Sequence, residues 1–494
     1  MLKSFDAVII GAGVVGNAIA RELSKYDMSV CVIEKEADTA FGISGRNSGV
    51  LHSGFNNKPG TLMAELCVQG SRGFAGEAAG LGIKLDRTGK LVTALYDEDV
   101  QALHLLKEQG EANHVDGLEI ISSAEIRKIN EDISGVAALL SNATGIFDPF
   151  LYTIALAEEA ILNGAEYRFL NEVAGIAPCR PSTGAPMATD SRRYQVTCVH
   201  RRSRCEERIE ADWVINSAGL HSDHVCKMLG INDFLIHPCR GEYHILDKKI
   251  GSKLRIPVYP VPNEKSGGLG VHLTPTVHGN LMIGPSAEYV GTREDFSTTE
   301  SIMNDLFAQG SELFPGIEKS GIIRSFAGIR PKLAAESQGG YHDFIIRESE
   351  RSKGFVILAG IESPGLTASI PIAKKVAEII FCRNQAERRK LFRRRIDAIQ
   401  TEEHYGPSGS HRLICLCESK SENEILKAYD QIVMIGALPT VKGIKNRTGA
   451  GMGNCQGSFC TVNIIDLLER KRDLDPLGFF LDGPESYLFA GRTR

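Results

Sequence analysis

The stretch Asp6-Ala-Val-Ile-Ile-Gly11-Ala-Gly13-Val-Val-Gly16 decides the fold. An apolar run ends in G-x-G-x-x-G, and an apolar-periodic segment continues to about Lys25. A second run, Ser29-Val-Cys-Val-Ile-Glu34, closes on an acid 18 residues past Gly16. Strand, glycine turn, helix and strand make a βαβ opening, which predicts an α/β architecture with a parallel sheet. In such a turn the first glycine permits the bend, the second admits a pyrophosphate, and the third lets the helix pack on the strand. The helix N-terminus offers free N–H groups and partial positive charge to phosphates. Glu34 can accept both hydroxyls of an adenosine ribose, and its charge disfavours a 2′-phosphate. The reading is a dinucleotide site.

Two later segments favour FAD over NAD. Asn216-Ser-Ala-Gly219-Leu follows a strand and opens a helix, and 354–367 (GFVILAGIESPGLT) holds another strand, glycine turn and helix start. A helix N-terminus aimed at the N1–C2=O edge of a flavin stabilises its reduced, negative form. A bound NAD has no need of this third unit.

The rest of the chain sets the organisation. At 494 residues, roughly two to four domains are expected. Hydrophobic residues at 43% and charged residues at 24% exclude a mainly disordered or fibrous chain. No apolar run approaches the roughly 20 residues of a membrane span. The opening Met1-Leu-Lys-Ser-Phe-Asp enters a strand at once, so no leader is expected. A cytoplasmic protein is expected, reaching a membrane only through a partner. A net charge of −5 argues against nucleic acid. Residues 61–80 and 95–130 read as helices. Residues 235–290 are short, β-rich and turn-punctuated, as in an inserted antiparallel sheet. The segment 180–207 reads as a loop and hairpin. In 383–411 a charged helix (ERRKLFRRR) precedes a flexible linker, its basic run reading as a solvated face or a docking patch for an acidic partner or membrane. Residues 412–494 read as a separate small domain.

The ordered motifs resemble the D-amino-acid-oxidase-like FAD oxidoreductases over residues 4–382. SGRNSGVLHSG (44–54), KPGTL (58–62), RTGKLV (87–92), NSAGLHSD (216–223), RGEY (240–243), YPVP (259–262) and GVHLTPTVHGNLMIGP (270–285) look like L-2-hydroxyglutarate dehydrogenases. AGIRPKL (327–333) is more like glycerol-3-phosphate dehydrogenases, and the fused C-terminal domain resembles that of the anaerobic glycerol-3-phosphate dehydrogenase A subunit. The resemblance implies a glutathione-reductase-type (Rossmann-like) FAD domain, built from about 1–90, 145–225 and 325–382. It implies an inserted antiparallel β-sheet substrate domain at about 91–144 and 226–324, and a small helical [2Fe–2S] domain after a 383–411 linker. The cofactor contacts expected are Gly11, Gly13, Val14, Val15, Gly16, Glu34, Lys35, Ser44, Arg46, Asn47, Ser48, Gly49, Leu51, Val173, Ala218, Gly219, Gly360, Gly365, Leu366 and Thr367. Arg46 and Asn47 would order the flavin loop.

Twelve cysteines occur. Cys31, Cys67, Cys179, Cys198, Cys205, Cys226, Cys239 and Cys382 are scattered and read as buried small residues. Cys415-Leu-Cys417 and Cys455-Gln-Gly-Ser-Phe-Cys460 give C-x-C, 37 residues, then C-x4-C. Four thiolates suit a [2Fe–2S] cluster. Zinc and an empty remnant are the alternatives, although C-x-C is tighter than common zinc spacing. The stretch 441–457 looks like a bacterioferritin-associated-ferredoxin-like domain, whose lysine and arginine offset cluster charge and whose glycines free N–H groups for sulfur.

For chemistry at a CH–OH carbon, a base must take the hydroxyl proton, and histidine has the right pKa. Resemblance places His52 near the isoalloxazine, with His272 facing it from the inserted sheet. Arg330 can hold a carboxylate or phosphate with two N–H groups, and Arg240 could flank the flavin or substrate. Tyr243 or Tyr259 could hydrogen-bond the substrate oxygen. Tyr243 stands where respiratory glycerol-3-phosphate dehydrogenases carry a histidine. The leading reading is an FAD-dependent dehydrogenase of a small anionic hydroxy compound, glycerol 3-phosphate or an L-2-hydroxy acid such as L-2-hydroxyglutarate. Its electrons would leave through [2Fe–2S] to an acceptor protein or quinone-reducing subunit. The rivals are oxidation of a C–N bond, as in proline or hydroxyproline, and an electron-transfer subunit with no substrate of its own.

Overall fold

A computed structural model describes residues 2–179, 193–262, 269–382, 386–396 and 412–491. Lys3–Ile10 is a strand, Val14–Leu23 a helix and Val30–Ile33 a strand, the two strands paired in parallel. Ala7–Ile10 and all of Val30–Ile33 are buried. Such doubly covered strands read as continuous apolar runs.

Three parallel strands end on one edge of this sheet. Lys3–Ile10 pairs with Glu206–Asn216, whose last residues pair with Phe355–Ala359. Each strand runs into a glycine with positive φ nearby, Gly11, Gly219 and Gly360. Ligands of open α/β sheets bind at this carboxyl edge. The helices Val14–Leu23, Leu62–Leu81, Pro149–Leu162 and Gly365–Phe381 share one core with it.

A nine-stranded sheet, largely antiparallel, faces that edge. The long strand His237–Leu246 pairs with Ile322–Lys332 along its whole length. Residues 325–332, placed by sequence with the FAD-binding parts, therefore run in the second sheet, and Arg330 reaches the site from there. Residues 95–130 are not all helix: a strand, Leu118–Ser122, separates the helices Val100–Ala112 and Ser123–Ile129. Of the 180–207 hairpin, residues 180–192 lie outside the described residues. The remainder pairs Tyr194–His200 with Glu206–Asn216.

The basic run is not a helix, and only part of it is solvated. Over 386–394 no helix forms. Arg389 N–H bonds Lys25 O at 2.8 Å, and its guanidinium donates to Tyr26 O (2.8 Å) and Asn163 O (2.7 Å). Arg395, 9% exposed, pairs with Glu158 and donates to Leu81 O at 2.6 Å. The run is a strap in which Arg389, Arg394 and Arg395 are bound to the large domain, while Arg388, Lys390 and Arg393 stay exposed.

The C-terminal domain holds the helices Glu422–Met434, Val441–Thr448 and Cys460–Arg472. Its Ile425, Ile432, Ile444 and Leu468 belong to the same contiguous core as Val14 and Leu156 of the large domain. No helix among the described residues is long and apolar enough to cross a membrane.

Candidate active site

A cavity of about 1530 Å³ lies between the two sheets. Ligand pockets commonly run about 300–1,000 Å³, so a dinucleotide and a small substrate fit together. Gly11 through Val15 form one wall. Gly11 has φ +101°, and a Cβ there would lie 2.8 Å from Ser217 O. A Cβ on Gly16 would lie 2.0 Å from Gly11 O, which is the close helix–strand packing the motif implies. The Glu34 carboxylate accepts from Ala12 N–H (2.6 Å) and Glu36 N–H (2.9 Å). Burial raises its pKa, so hydroxyl donors from a ribose would compensate a buried acceptor. Ser44 Oγ accepts from Val14 N–H at 2.9 Å, and Asn47 braces its own loop through Ser44 O (2.8 Å) and Gly49 N–H (2.9 Å). Lys35 Nζ lies 3.0 Å from His221 Nε2. Of the expected cofactor positions, Gly16, Leu51 and Thr367 stand behind the cavity wall and the others line it. The residues present fit FAD.

The proposed reaction end is built from the nine-stranded sheet and from a separate three-stranded sheet that carries His52. His52 follows the short strand Val50–Leu51. Its backbone N–H donates to Thr367 Oγ1 (3.1 Å), and Nε2 lies 3.2 Å from Ser363 Oγ. Burial, then the charge of Lys90, then His272 hold its pKa well below the ordinary histidine value. The His272 ring stacks on Tyr259 with centroids 3.7 Å apart. Its Nδ1 donates to Gly270 O at 2.9 Å, which leaves Nε2 as the acceptor, buried and without a partner among the described residues. Burial pushes its pKa down to about 3. A neutral ring with one bare acceptor is equipped to receive a hydroxyl hydrogen.

Arg330 donates to Ser286 O (2.9 Å), contacts Cys239 Sγ (3.7 Å) and shares a hydrogen bond with the Tyr243 hydroxyl, so only part of its N–H fork remains for a ligand. Gly241 makes room: a Cβ there would lie 2.6 Å from Arg330 Nη2. Tyr243 stacks on Phe326 (4.8 Å) and lies against Arg330. Arg240 does not line the cavity. It bonds Asp295 (2.7 Å), Glu288 (2.7 Å), Ser297 (2.9 Å) and Thr299 (3.1 Å).

Lys90 was not anticipated. It opens the buried strand Lys90–Ala94 and is itself 1% exposed. Its ammonium sits 4.3 Å from both the Phe55 and Tyr259 ring centroids and donates to Asn56 Oδ1 at 3.0 Å. Burial lowers its pKa to about 7. The one available signal was a lysine opening an apolar run in RTGKLV.

In the small domain the four candidate ligand thiols stand as two pairs, Cys415 with Cys460 and Cys417 with Cys455. Backbone N–H groups of Phe459 and Gly457 lower the Cys455 pKa, as an anionic sulfur requires. Two pairs suit two irons. Among the described residues no three His, Cys, Asp or Glu side chains converge on a single metal ion. Of the scattered cysteines, Cys205 and Cys382 are exposed rather than buried.

A dinucleotide cradle, a facing sheet with buried histidines and a thiol-rich appendage define a class, and the comparisons agree with it. Residues 6–379 match the FAD dependent oxidoreductase family, and residues 413–470 match the BFD-like [2Fe-2S] binding domain. The chain belongs to the FAD dependent oxidoreductase family. Its cofactors are FAD and a [2Fe–2S] cluster. In particular, it is 34% identical to a glycerol 3-phosphate dehydrogenase of Caloramator mitchellensis over 99% of both chains. It is 31% identical to human mitochondrial L-2-hydroxyglutarate dehydrogenase, over 76% of this chain and 88% of that one. Among solved structures, FAD-bound L-α-glycerophosphate oxidase from Mycoplasma pneumoniae superposes with a TM-score of 0.71 at 26% identity, covering 79% of this chain and 98% of that one.

Proposed function

We propose that this protein oxidises glycerol 3-phosphate at its secondary alcohol and passes the electrons out through its own C-terminal domain. The observation that carries this reading is the match to the Caloramator glycerol 3-phosphate dehydrogenase, which spans 99% of both chains and so includes the small domain. The human L-2-hydroxyglutarate dehydrogenase covers 76% of this chain.

FAD, when bound, supplies the acceptor for the hydride, and the [2Fe–2S] cluster supplies a one-electron exit. The chain's residues prepare the substrate. Arg330 holds the phosphate with its free N–H groups, and Tyr243 beside it fixes the oxygen positions. His52 is neutral at pH 7 and takes the proton of the oxidised hydroxyl, its ring pinned by Ser363. His272 Nε2 accepts from the second hydroxyl of the substrate, and Tyr259, stacked beneath, holds that ring in place. The buried aromatic wall excludes water.

L-2-hydroxyglutarate is the second reading, favoured by the match to the human enzyme over the catalytic unit. Steady-state rates with an artificial acceptor separate the two. The proposal expects kcat/KM for glycerol 3-phosphate to exceed that for L-2-hydroxyglutarate by at least about 100-fold, a modest share of the roughly 10⁴–10⁵-fold that a site built to hydrogen-bond its substrate can reach. The reverse order would establish the second reading instead.

A further inference from the structure

The loop that carries the nucleotide-binding groups also carries the small domain. Glu34 stands at its start and Ser44, bonded to Val14 N–H, at its end. Between them Ala37 O accepts from Leu438 N–H at 2.9 Å, and Asp38 pairs with Arg447, both side chains at most 2% exposed. Phe41 lies under the ammonium of Lys442, 4.3 Å from ring centroid to Nζ. Lys442 and Asp482, both of the C-terminal domain, line the cofactor cavity together with Gly13, Ser44 and Arg46.

The charges there do not balance. Lys442, Lys445, Arg46 and Arg324 lie close enough to lower one another's proton affinity. The carboxylates among them are Glu36 and Asp482, the latter 3.9 Å from Lys442 and half exposed. Arg46 Nε is buried and has no hydrogen-bond partner among the described residues. Burial lowers Lys442 to about 8 and Lys445 to about 7. Arg46 and Lys442 line the cavity beside the phosphate-binding turn, with Lys445 and Arg324 close to them, and this positive end of the cavity suits an anion of more than one charge.

We infer that the C-terminal domain is part of the FAD site: Lys442 completes the cradle of the cofactor's diphosphate, and the Asp38–Arg447 pair holds it there. FAD then bridges the two domains, and binding it tightens their contact. The inference concerns cofactor binding and stands whichever substrate is oxidised.

The test is FAD affinity of the full-length, cluster-loaded protein, measured by flavin fluorescence after reversible removal of FAD. A charge-assisted hydrogen bond contributes enough for about a 10- to 150-fold change in affinity. Lys442→Gln is expected to raise the FAD Kd by at least about tenfold, with the visible absorbance of the cluster unchanged. A Kd within about twofold of wild type would overturn the inference. So would an unchanged FAD Kd with a raised KM for glycerol 3-phosphate, which would assign Lys442 to the substrate's phosphate. Should the variant lose both cofactors, hydrogen exchange of the wild-type protein decides. FAD is expected to slow exchange in peptides covering 437–449, and equal exchange with and without FAD would overturn the inference.

Discussion

Ser363 Oγ stands 3.2 Å from His52 Nε2, while the His52 backbone N–H donates to Thr367 Oγ1, so both ends of this residue are tied to the start of the helix Gly365–Phe381. A ring held this way keeps one orientation through the reaction. Positioned bases contribute about 10²–10⁴-fold to rate. His52→Asn is expected to slow anaerobic flavin reduction by glycerol 3-phosphate within that range, with FAD content unchanged. Stopped-flow absorbance measures it. Near-normal reduction would mean that another acceptor, such as His272 Nε2, takes the hydroxyl proton.

The acidic limb of the rate profile depends on Lys90. A base acts only when unprotonated, and the pKa of His52 is lowered by burial first and by Lys90 second. Lys90, at about 7, is charged below neutral pH, the range where an ordinary histidine would take a proton. Flavin reduction is therefore expected to hold its rate to well below pH 6.5. Lys90→Met is expected to move the acidic limb to higher pH. The same change is expected to stabilise the fold by about 1–3 kcal/mol, since a buried cation without a carboxylate gives way to an apolar chain. A merely structural Lys90 would leave the pH profile where it was.

Arg330→Lys removes the planar fork but keeps the charge. Loss of a two-point contact to an anion corresponds to about 2–3 kcal/mol, or roughly 30- to 150-fold in kcat/KM. The loss is expected mainly in KM for glycerol 3-phosphate, with FAD affinity unaffected. Steady-state kinetics over substrate concentration read it directly.

Cys455→Ser is expected to abolish the cluster's absorbance and paramagnetic signal. Substrate should still bleach the flavin in a single turnover, whereas turnover with a one-electron acceptor should fall at least about tenfold. Equal turnover would mean that electrons leave without passing the small domain.

Gly16→Ala places a Cβ 2.0 Å from Gly11 O, a backbone atom that cannot swing aside. The variant is expected to lose FAD and to melt at lower temperature, by about 1–3 kcal/mol of overpacking. Purified variant with full flavin content would contradict the packing role.

What the sequence made legible is local chemistry. Gly11 could be read because its φ of +101° excludes most side chains, and Glu34 because its spacing from the turn is fixed by one helix and one strand. What it hid depends on distant partners. Arg240 looked free in RGEY, yet its ligands Glu288, Asp295, Ser297 and Thr299 come from a later excursion of the chain. The run 388–395 looked solvated, yet Arg395 meets Glu158 across more than 200 residues. Lys90 drew no reading of its own within RTGKLV, and only the packing of Phe55 and Tyr259 around it shows a buried cation. The strand Leu118–Ser122 was lost in a helical reading because its burial follows the second sheet, not a helical stripe.

In the proposed path one chain takes electrons from glycerol 3-phosphate and moves them to its own cluster. Anaerobic titration of the FAD- and iron-loaded protein with glycerol 3-phosphate follows that path from end to end. The flavin band is expected to bleach and the cluster bands then to fall, without any added partner. A flavin that stays oxidised in the presence of glycerol 3-phosphate, while the protein holds full FAD and cluster, would rule out this electron path.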